Sequence, residues 1–311
     1  MTRTTKGILA AVASALCLSF MGILGKLLFQ QGVHPLNVVT LRAIVAFATL
    51  ALALTLVRRR VPTIRPSQLP FFAMLGLIGI SLNYASFFLA LDYSTVSTAI
   101  SLLYTYPAFV ALGAVLFLGE AMTTAKASAL ALTIAGCFLV TGAYDPAALE
   151  LNLAGVFFGL CASLTKSAYT LLSKQALRQT DPWTTVVFAF GFGALFLTAW
   201  TWPASILTFD IGWHAWALIL AIAWAPTLVG YSLFVLALSY LEASRASIIA
   251  TLEPVAAIAL AMAFLGETGS LPQFVGVGLV LAGIVVLNGR RRAVHDPIGE
   301  DPAKTFVSRA D

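Results

Sequence analysis

Apolar residues fill ten stretches of this chain, near residues 7–29, 36–57, 69–91, 94–118, 124–143, 153–176, 183–203, 214–240, 245–265 and 271–289. Most come close to the roughly 20 apolar residues that a helix needs to cross the hydrocarbon core of a bilayer. Charged positions collect between the stretches and are scarce within them. The pattern predicts an all-α integral membrane fold of ten transmembrane helices.

The pattern is also written twice. Residues 84–136 align with residues 231–283 without a gap, at an offset of 147, and both copies end in or contain uncommon matches. Among these are Tyr84/Tyr231, Tyr93/Tyr240, Ser97/Ser244, Pro107/Pro254 and the tag Phe117-Leu118-Gly119-Glu120 against Phe264-Leu265-Gly266-Glu267. Upstream, Gly7 and Lys26 precede Gly155 and Lys174 by 148 residues, and Pro35 precedes Pro182 by 147. Self-similarity of this length means a duplicated unit. With five helices in each copy, the second enters the membrane in the opposite sense, which makes two inverted five-helix repeats around a central cavity. The expected units are residues 1–147, residues 148–289 and a polar cytoplasmic tail over 290–311 that reads as disordered.

Composition and charge agree with a membrane class. The chain is 60% hydrophobic and only 10% charged, with a mean hydropathy of +0.94, against about a quarter charged in soluble domains. Starting from a cytoplasmic N-terminus, alternation puts 15 of the 18 Lys and Arg residues in cytoplasmic positions, among them Arg58, Arg59, Arg60, Lys126, Lys174, Arg245, Arg290, Arg291, Arg292, Lys304 and Arg309. That is the bias of inward-facing loops. The opposite loops carry Asp92, Asp145, Glu150, Asp210 and Glu267 instead. Both termini are therefore expected in the cytoplasm. The basic balance reports topology, so no nucleic-acid partner is expected. Arg3 and Lys6 ahead of an apolar run could open a signal peptide, but its removal would leave the first repeat incomplete, so retention is expected. Cys17, Cys137 and Cys161 are isolated and read as small apolar residues.

Three cations are left over from that assignment, Lys26, Arg42 and Lys166, together with one deep carboxylate, Glu253. Charges at membrane depth are costly and mark candidate sites. Lys26 is close enough to a helix end to reach the interface, and Arg42 fits a packing or capping role. Lys166 lies 13 residues past the start of its stretch, near the midplane, and Glu253 replaces Tyr106 at the matching place of the first repeat. Glu253 either pairs with Lys166 or carries a proton. Pro107, Pro226 and Pro254 fall within helices, which they break or kink, and the symmetric pair Pro107 and Pro254 reads as a hinge. Asn83, Tyr84, Tyr104, Tyr106, Tyr169, Trp224 and Tyr231 could line an amphipathic pocket. His34, His214 and His295 form no cluster with carboxylates at metal spacing, no serine has a base nearby, and no cofactor motif is present. An enzyme is not expected.

The segment Ala90 to Glu120, with Tyr93, Ser97, Pro107 and the closing Leu118-Gly119-Glu120, resembles the second half of an EamA-type repeat. Its echo, Ala237 to Glu267, is more similar still, and Leu41-Arg42 is similar to the family's Arg-bearing second helix. The resemblance, over about residues 7–289, is to the drug/metabolite transporter superfamily. It implies a secondary transporter, commonly an exporter, that moves small metabolites such as amino acids, possibly aromatic ones, by alternating access. Helices 1, 3, 4, 6, 8 and 9 would surround the cavity, with helices 5 and 10 peripheral. The alternative is extrusion of lipophilic cations by proton antiport, which in small relatives uses a carboxylate in helix 1; here helix 1 has none. Departures are Phe20 and Met21 where the family often shows tryptophan, and Ala189 at the place matching Arg42. Expected partners are a small-molecule substrate and the lipid bilayer, in a plasma or bacterial inner membrane. Since both halves are present in one chain, a functional monomer is expected.

Overall fold

The computed structural model describes residues 2–58, 62–146, 152–201, 212–265 and 269–289. Arg59, Arg60, Glu150, Asp210, Glu267, Arg290, Arg291, Arg292, His295, Lys304, Arg309 and the expected tail 290–311 lie outside the described residues.

Among the described residues, nine helices are long and apolar enough to span a membrane: α1 (Arg3–Gln30), α2 (Pro35–Leu56), α3 (Pro66–Tyr93), α4 (Val96–Leu118), α6 (Leu153–Ala176), α7 (Pro182–Thr201), α8 (Trp213–Tyr240), α9 (Ala243–Phe264) and α10 (Leu271–Asn288). The tenth, α5 (Thr124–Val140), is apolar and shorter. The expected ten-helix architecture is present.

Packing repeats with the sequence. α1 lies against α8 and α9, and α6 lies against α3 and α4; α2 pairs with α7, and α5 with α10. The two related interfaces match in detail. Ser14 Oγ on α1 donates to the Gly230 carbonyl on α8 at 2.8 Å, and Asn83 Nδ2 on α3 donates to the Ala162 carbonyl on α6 at 2.7 Å. Ser14 and Ala162 are 148 residues apart, and Asn83 and Gly230 are 147 apart. In hydrocarbon, where helices gain nothing by hiding apolar surface from lipid, close backbone approach and interhelical hydrogen bonds hold the bundle. The α5–α10 seam is the tightest case: a Cβ at Gly136 would sit 2.7 Å from the Gly276 carbonyl oxygen.

Four helices are irregular, in two related pairs. α4 stops at Leu103, turns through Tyr104 and Thr105, and resumes at Tyr106 with Pro107 in its first turn. α9 stops at Ala250, turns at Thr251, and resumes at Leu252 just ahead of Pro254. Proline has no N–H for the upstream turn and its ring crowds the carbonyl four residues back, so each helix breaks shortly before it. α3 and α8 widen into π turns over Leu77–Leu82 and Ala223–Gly230. Pro226 accounts for the second; the first has no proline and has no signal in the sequence pattern.

The first copy of the Phe-Leu-Gly-Glu tag, Phe117–Glu120, has a structural reason. Gly119 ends α4 with φ of 72°, a left-handed conformation that glycine adopts at little cost. The chain then turns so that Glu120 reaches the start of α9, where it accepts hydrogen bonds from the Ala243 N–H at 2.5 Å, from the Ser244 N–H at 3.3 Å and from the Ser244 hydroxyl. Lys126 Nζ bridges Glu120 at 3.5 Å and Glu242 at 2.9 Å. Three residues counted as loop charges are therefore built into the bundle. Lys126 is 7% exposed and Arg245 is buried, the latter bonded to Asn288, while Lys174 Nζ caps α8 through the Leu238 and Leu241 carbonyls at 2.6 and 2.7 Å.

Candidate functional site

The break in α4 builds the site. Side chains and backbone of neighbouring helices hydrogen-bond to it. Ser167 Oγ donates to the Tyr106 carbonyl at 3.0 Å, the Thr105 and Ser163 hydroxyls lie 2.9 Å apart, and the Tyr106 hydroxyl donates to the Ser247 carbonyl at 3.3 Å. α4 is thereby pinned to α6 and α9 at bilayer depth. The turn also swings the Tyr104 and Tyr106 rings toward Lys166, whose Nζ lies 5.3 and 4.7 Å from their centroids. Both fall within the range where a ring face attracts a cation.

Glu253 completes the group. Its Oε2 lies 3.6 Å from Lys166 Nζ, with the two side chains 15% and 22% exposed. The carboxylate stands in the first turn of the resumed half of α9, where unpaired N–H groups and the helix dipole favour negative charge. Among the described residues no hydrogen-bond donor reaches Oε2, so the ammonium is its counter-charge. The duplication makes this arrangement one-sided. Glu253 and Tyr106 occupy matching places, and the α1 residue matching Lys166 is Leu18. A pair that symmetry does not require, set at two helix breaks, can bind a solute carrying both signs of charge by opening toward it.

A second group lies across the bundle. The Tyr84 hydroxyl donates to the Tyr231 hydroxyl at 3.1 Å, Tyr231 meets Tyr169 and Phe190 edge to face at 5.5 and 5.2 Å, and the Arg42 guanidinium lies 4.2 Å from the Tyr84 centroid. Tyr169 is three residues from Lys166 on α6, a spacing that puts both on one helix face. The aromatic residues expected to line a pocket thus gather in two groups, Tyr104 and Tyr106 at Lys166 and Tyr169, Tyr231 and Tyr84 at Arg42. Two of the candidates do other work. Asn83 is buried and joins α3 to α6 through Ala162 and Thr165. Trp224 is 47% exposed and donates to Thr49 on α2 at 3.1 Å, apart from both groups. The π turn around Pro226 rotates that part of α8, a change that an ideal helical period does not anticipate.

Two cavities lie elsewhere. One of about 220 Å³ opens between α1 and α9, lined by Ser19, Gly22, Ile23, Lys26, Ala257, Ile258 and Ala261. Another of about 230 Å³ lies between α3 and α6 near Gln68 and Gln179. Neither is lined by Lys166 or Glu253. Among the described residues, no group of three or more His, Cys, Asp or Glu side chains could hold a metal ion.

Comparison with known proteins decides the family. The EamA-like transporter family matches the chain twice, at residues 5–142 and 153–289. The chain belongs to the EamA-like transporter family. An uncharacterized transporter of Archaeoglobus fulgidus is 31% identical over 218 residues, 70% of this chain and 76% of that protein. A protein of Streptantibioticus cattleyicolor named "Probable terminal-alkyne amino-acid exporter" is 27% identical over 82% of this chain and 86% of its own length. A protein of known crystal structure shares the fold with a TM-score of 0.79 at 16% identity, over 93% of this chain and 99% of that one. This EamA-like protein is a multi-pass membrane transporter.

Proposed function

We propose that this EamA-like protein exports small zwitterionic metabolites of the amino-acid class by alternating access. The observation that supports it most is the Lys166–Glu253 pair at 3.6 Å, flanked by Tyr104 and Tyr106 where α4 and α9 break. An amino acid presents an ammonium to Glu253 and a carboxylate to Lys166, so it separates the pair without leaving either charge bare. Tyr84, Tyr169 and Tyr231 supply amphipathic walls suited to an aromatic side chain. Pro107 and Pro254 serve as hinges, each at a break that frees one half-helix to swing. The Streptantibioticus cattleyicolor protein named "Probable terminal-alkyne amino-acid exporter" supports the solute class by similarity.

Extrusion of lipophilic cations fits less well. It needs a free deep carboxylate, and among the described residues the one available is already neutralised by Lys166. The protein acts as a monomer in a plasma or bacterial inner membrane, with its N-terminus in the cytoplasm, each half of the duplicated chain serving as the other's partner.

The test is uptake of a labelled amino-acid panel into proteoliposomes, with and without an imposed pH gradient. Saturable uptake of one class that is lost in Lys166→Met is expected. Wild-type transport by Lys166→Met would remove the pair from the substrate site, and transport of a quaternary cation in place of any amino acid would overturn the solute class.

A further inference from the structure

Arg42 is the deep cation that this function leaves unused. It sits on α2, 3% exposed, and its surroundings give it little. Nη1 donates to the Met21 sulfur at 2.9 Å and to the Thr227 hydroxyl at 3.4 Å, while Nε is buried without an acceptor. Among the described residues no carboxylate pairs with it. A thioether is a weak acceptor and a hydroxyl at that distance is a long one. Guanidinium cannot shed its proton to escape the cost of burial, unlike an ammonium. Lys166 is balanced by Glu253, whereas Arg42, among the described residues, has no carboxylate and rests on the Tyr84 ring at 4.2 Å.

We propose that Arg42 and Thr227, at the Tyr84–Tyr231 end of the bundle and sharing those rings with the proposed substrate walls, form a second carboxylate-binding site for an aromatic or other lipophilic monocarboxylate. The guanidinium fork matches a carboxylate in geometry as well as charge. Tyr231 accepts from Tyr84 and so keeps its own O–H proton for another acceptor. Met21 holds the place of the incoming group, and its unbranched, polarizable side chain can fold away. The rings of Tyr84, Tyr231, Tyr169 and Phe190 provide the apolar body of the site. The matching residue of the second repeat is Ala189, so each chain has one such site. The inference stands on the buried, acceptor-less Nε of Arg42 and its lack of a carboxylate among the described residues, and not on which solute the Lys166–Glu253 pair moves.

Equilibrium dialysis of radiolabelled 3-phenylpropionate against the full chain in lipid nanodiscs tests it, with phenethylamine, which lacks the carboxylate, as the second probe. Wild-type protein is expected to bind phenylpropionate saturably. Arg42→Gln is expected to weaken that binding roughly 10- to 100-fold, the loss of a hydrogen bond to a charged group, while leaving phenethylamine binding unchanged. Lys166→Met is expected to leave phenylpropionate binding intact. Met21→Glu keeps the test decisive if Arg42→Gln does not fold. It places a carboxylate where the sulfur now sits, and should block phenylpropionate binding while raising the thermal unfolding midpoint. Absence of wild-type binding, survival of binding in either Arg42→Gln or Met21→Glu, or equal loss of both probes would overturn the proposal. Loss in Lys166→Met with the Arg42 variants unaffected would also overturn it, and would leave the Lys166–Glu253 reading standing.

Discussion

Neutralising Glu253 alone should damage this protein more than neutralising Glu253 and Lys166 together. At 3.6 Å the pair attract by about 5 kcal/mol if the effective dielectric is about 20, and desolvation of both groups offsets much of that. What a single substitution adds is a stranded charge. Glu253→Gln leaves an ammonium between two tyrosine rings with no carboxylate, and Lys166→Met leaves a carboxylate whose Oε2 has no hydrogen-bond donor. Breaking one side of a buried pair costs about 3–5 kcal/mol. Because the side chains are 22% and 15% exposed, about 3 kcal/mol is the better figure, a fall of about 5 °C in unfolding midpoint for a chain of this length. The double variant buries two neutral groups and should recover most of the loss. The assay is a double-mutant cycle on thermal unfolding in detergent, with transport measured on the same four proteins. Stability and function then part company: the double variant should be stable and inactive. Additive stabilities would show that the two charges are not coupled, and transport by the double variant would refute their role at the site.

Two further outcomes follow from the packing. Glu120→Ala removes a largely buried acceptor from two backbone N–H groups, a serine hydroxyl and Lys126, and should lower stability by about 2–3 kcal/mol, read as a lower unfolding midpoint, with Glu120→Gln losing less. Gly136→Ala puts a methyl 2.7 Å from the Gly276 carbonyl, so overpacking of about 1–3 kcal/mol should exceed the helix-propensity gain of about 1 kcal/mol, and a stabilised variant would show that the α5–α10 seam is looser than described.

Much of the fold was legible because membranes leave few solutions. A chain with no water to satisfy its backbone must close every hydrogen bond within helices, so ten apolar stretches become ten helices, and a gapless repeat of five dictates inversion. The helix breaks were legible too, since proline acts locally. The π turn at Leu77–Leu82 was not, because nothing in Leu77-Ile78-Gly79-Ile80-Ser81-Leu82 forces it; it matches the Pro226 turn of α8 and was recoverable only by carrying that break across the repeat. Lys126, Lys174 and Arg245 sit at helix ends, where the positive-inside rule explains a cation equally well whether it faces lipid headgroups or caps a helix. Glu120 was visible as one member of a repeated tag but had no assigned partner, since its contact with α9 spans 123 residues of chain. The Lys166–Glu253 contact was readable as one of two options for Glu253. Trp224 lies within the π turn Ala223–Gly230, whose rotation the sequence period does not carry.

The duplication also shows where the two halves differ. The cavity between α1 and α9 is lined by Ser19, Gly22, Ile23 and Lys26 on one side and by Ala257, Ile258 and Ala261 on the other. The matching residues at the opposite end of the bundle, on α6 and α4, are Ser167, Thr170, Leu171 and Lys174 facing Val110, Ala111 and Ala114. There the helices are closed: Val110, Ala111 and Ala114 are buried, and a Cβ at Gly113 would come within 2.4 Å of Leu171 Cδ1. One repeat plan has thus been folded into an open seam at one end and a sealed seam at the other. Exchanging the two packings between the repeats would produce the opposite opening, with the Lys166–Glu253 pair between them. The sealed end is also the one that carries the Glu120–Lys126–Glu242 network at the start of α9. Under the proposed alternating access, opening that end would take α9 away from Glu120 while its far half, beyond Pro254, closed on α1. The break between Ala250 and Leu252 is where the proposal lets the two halves of α9 make those movements separately.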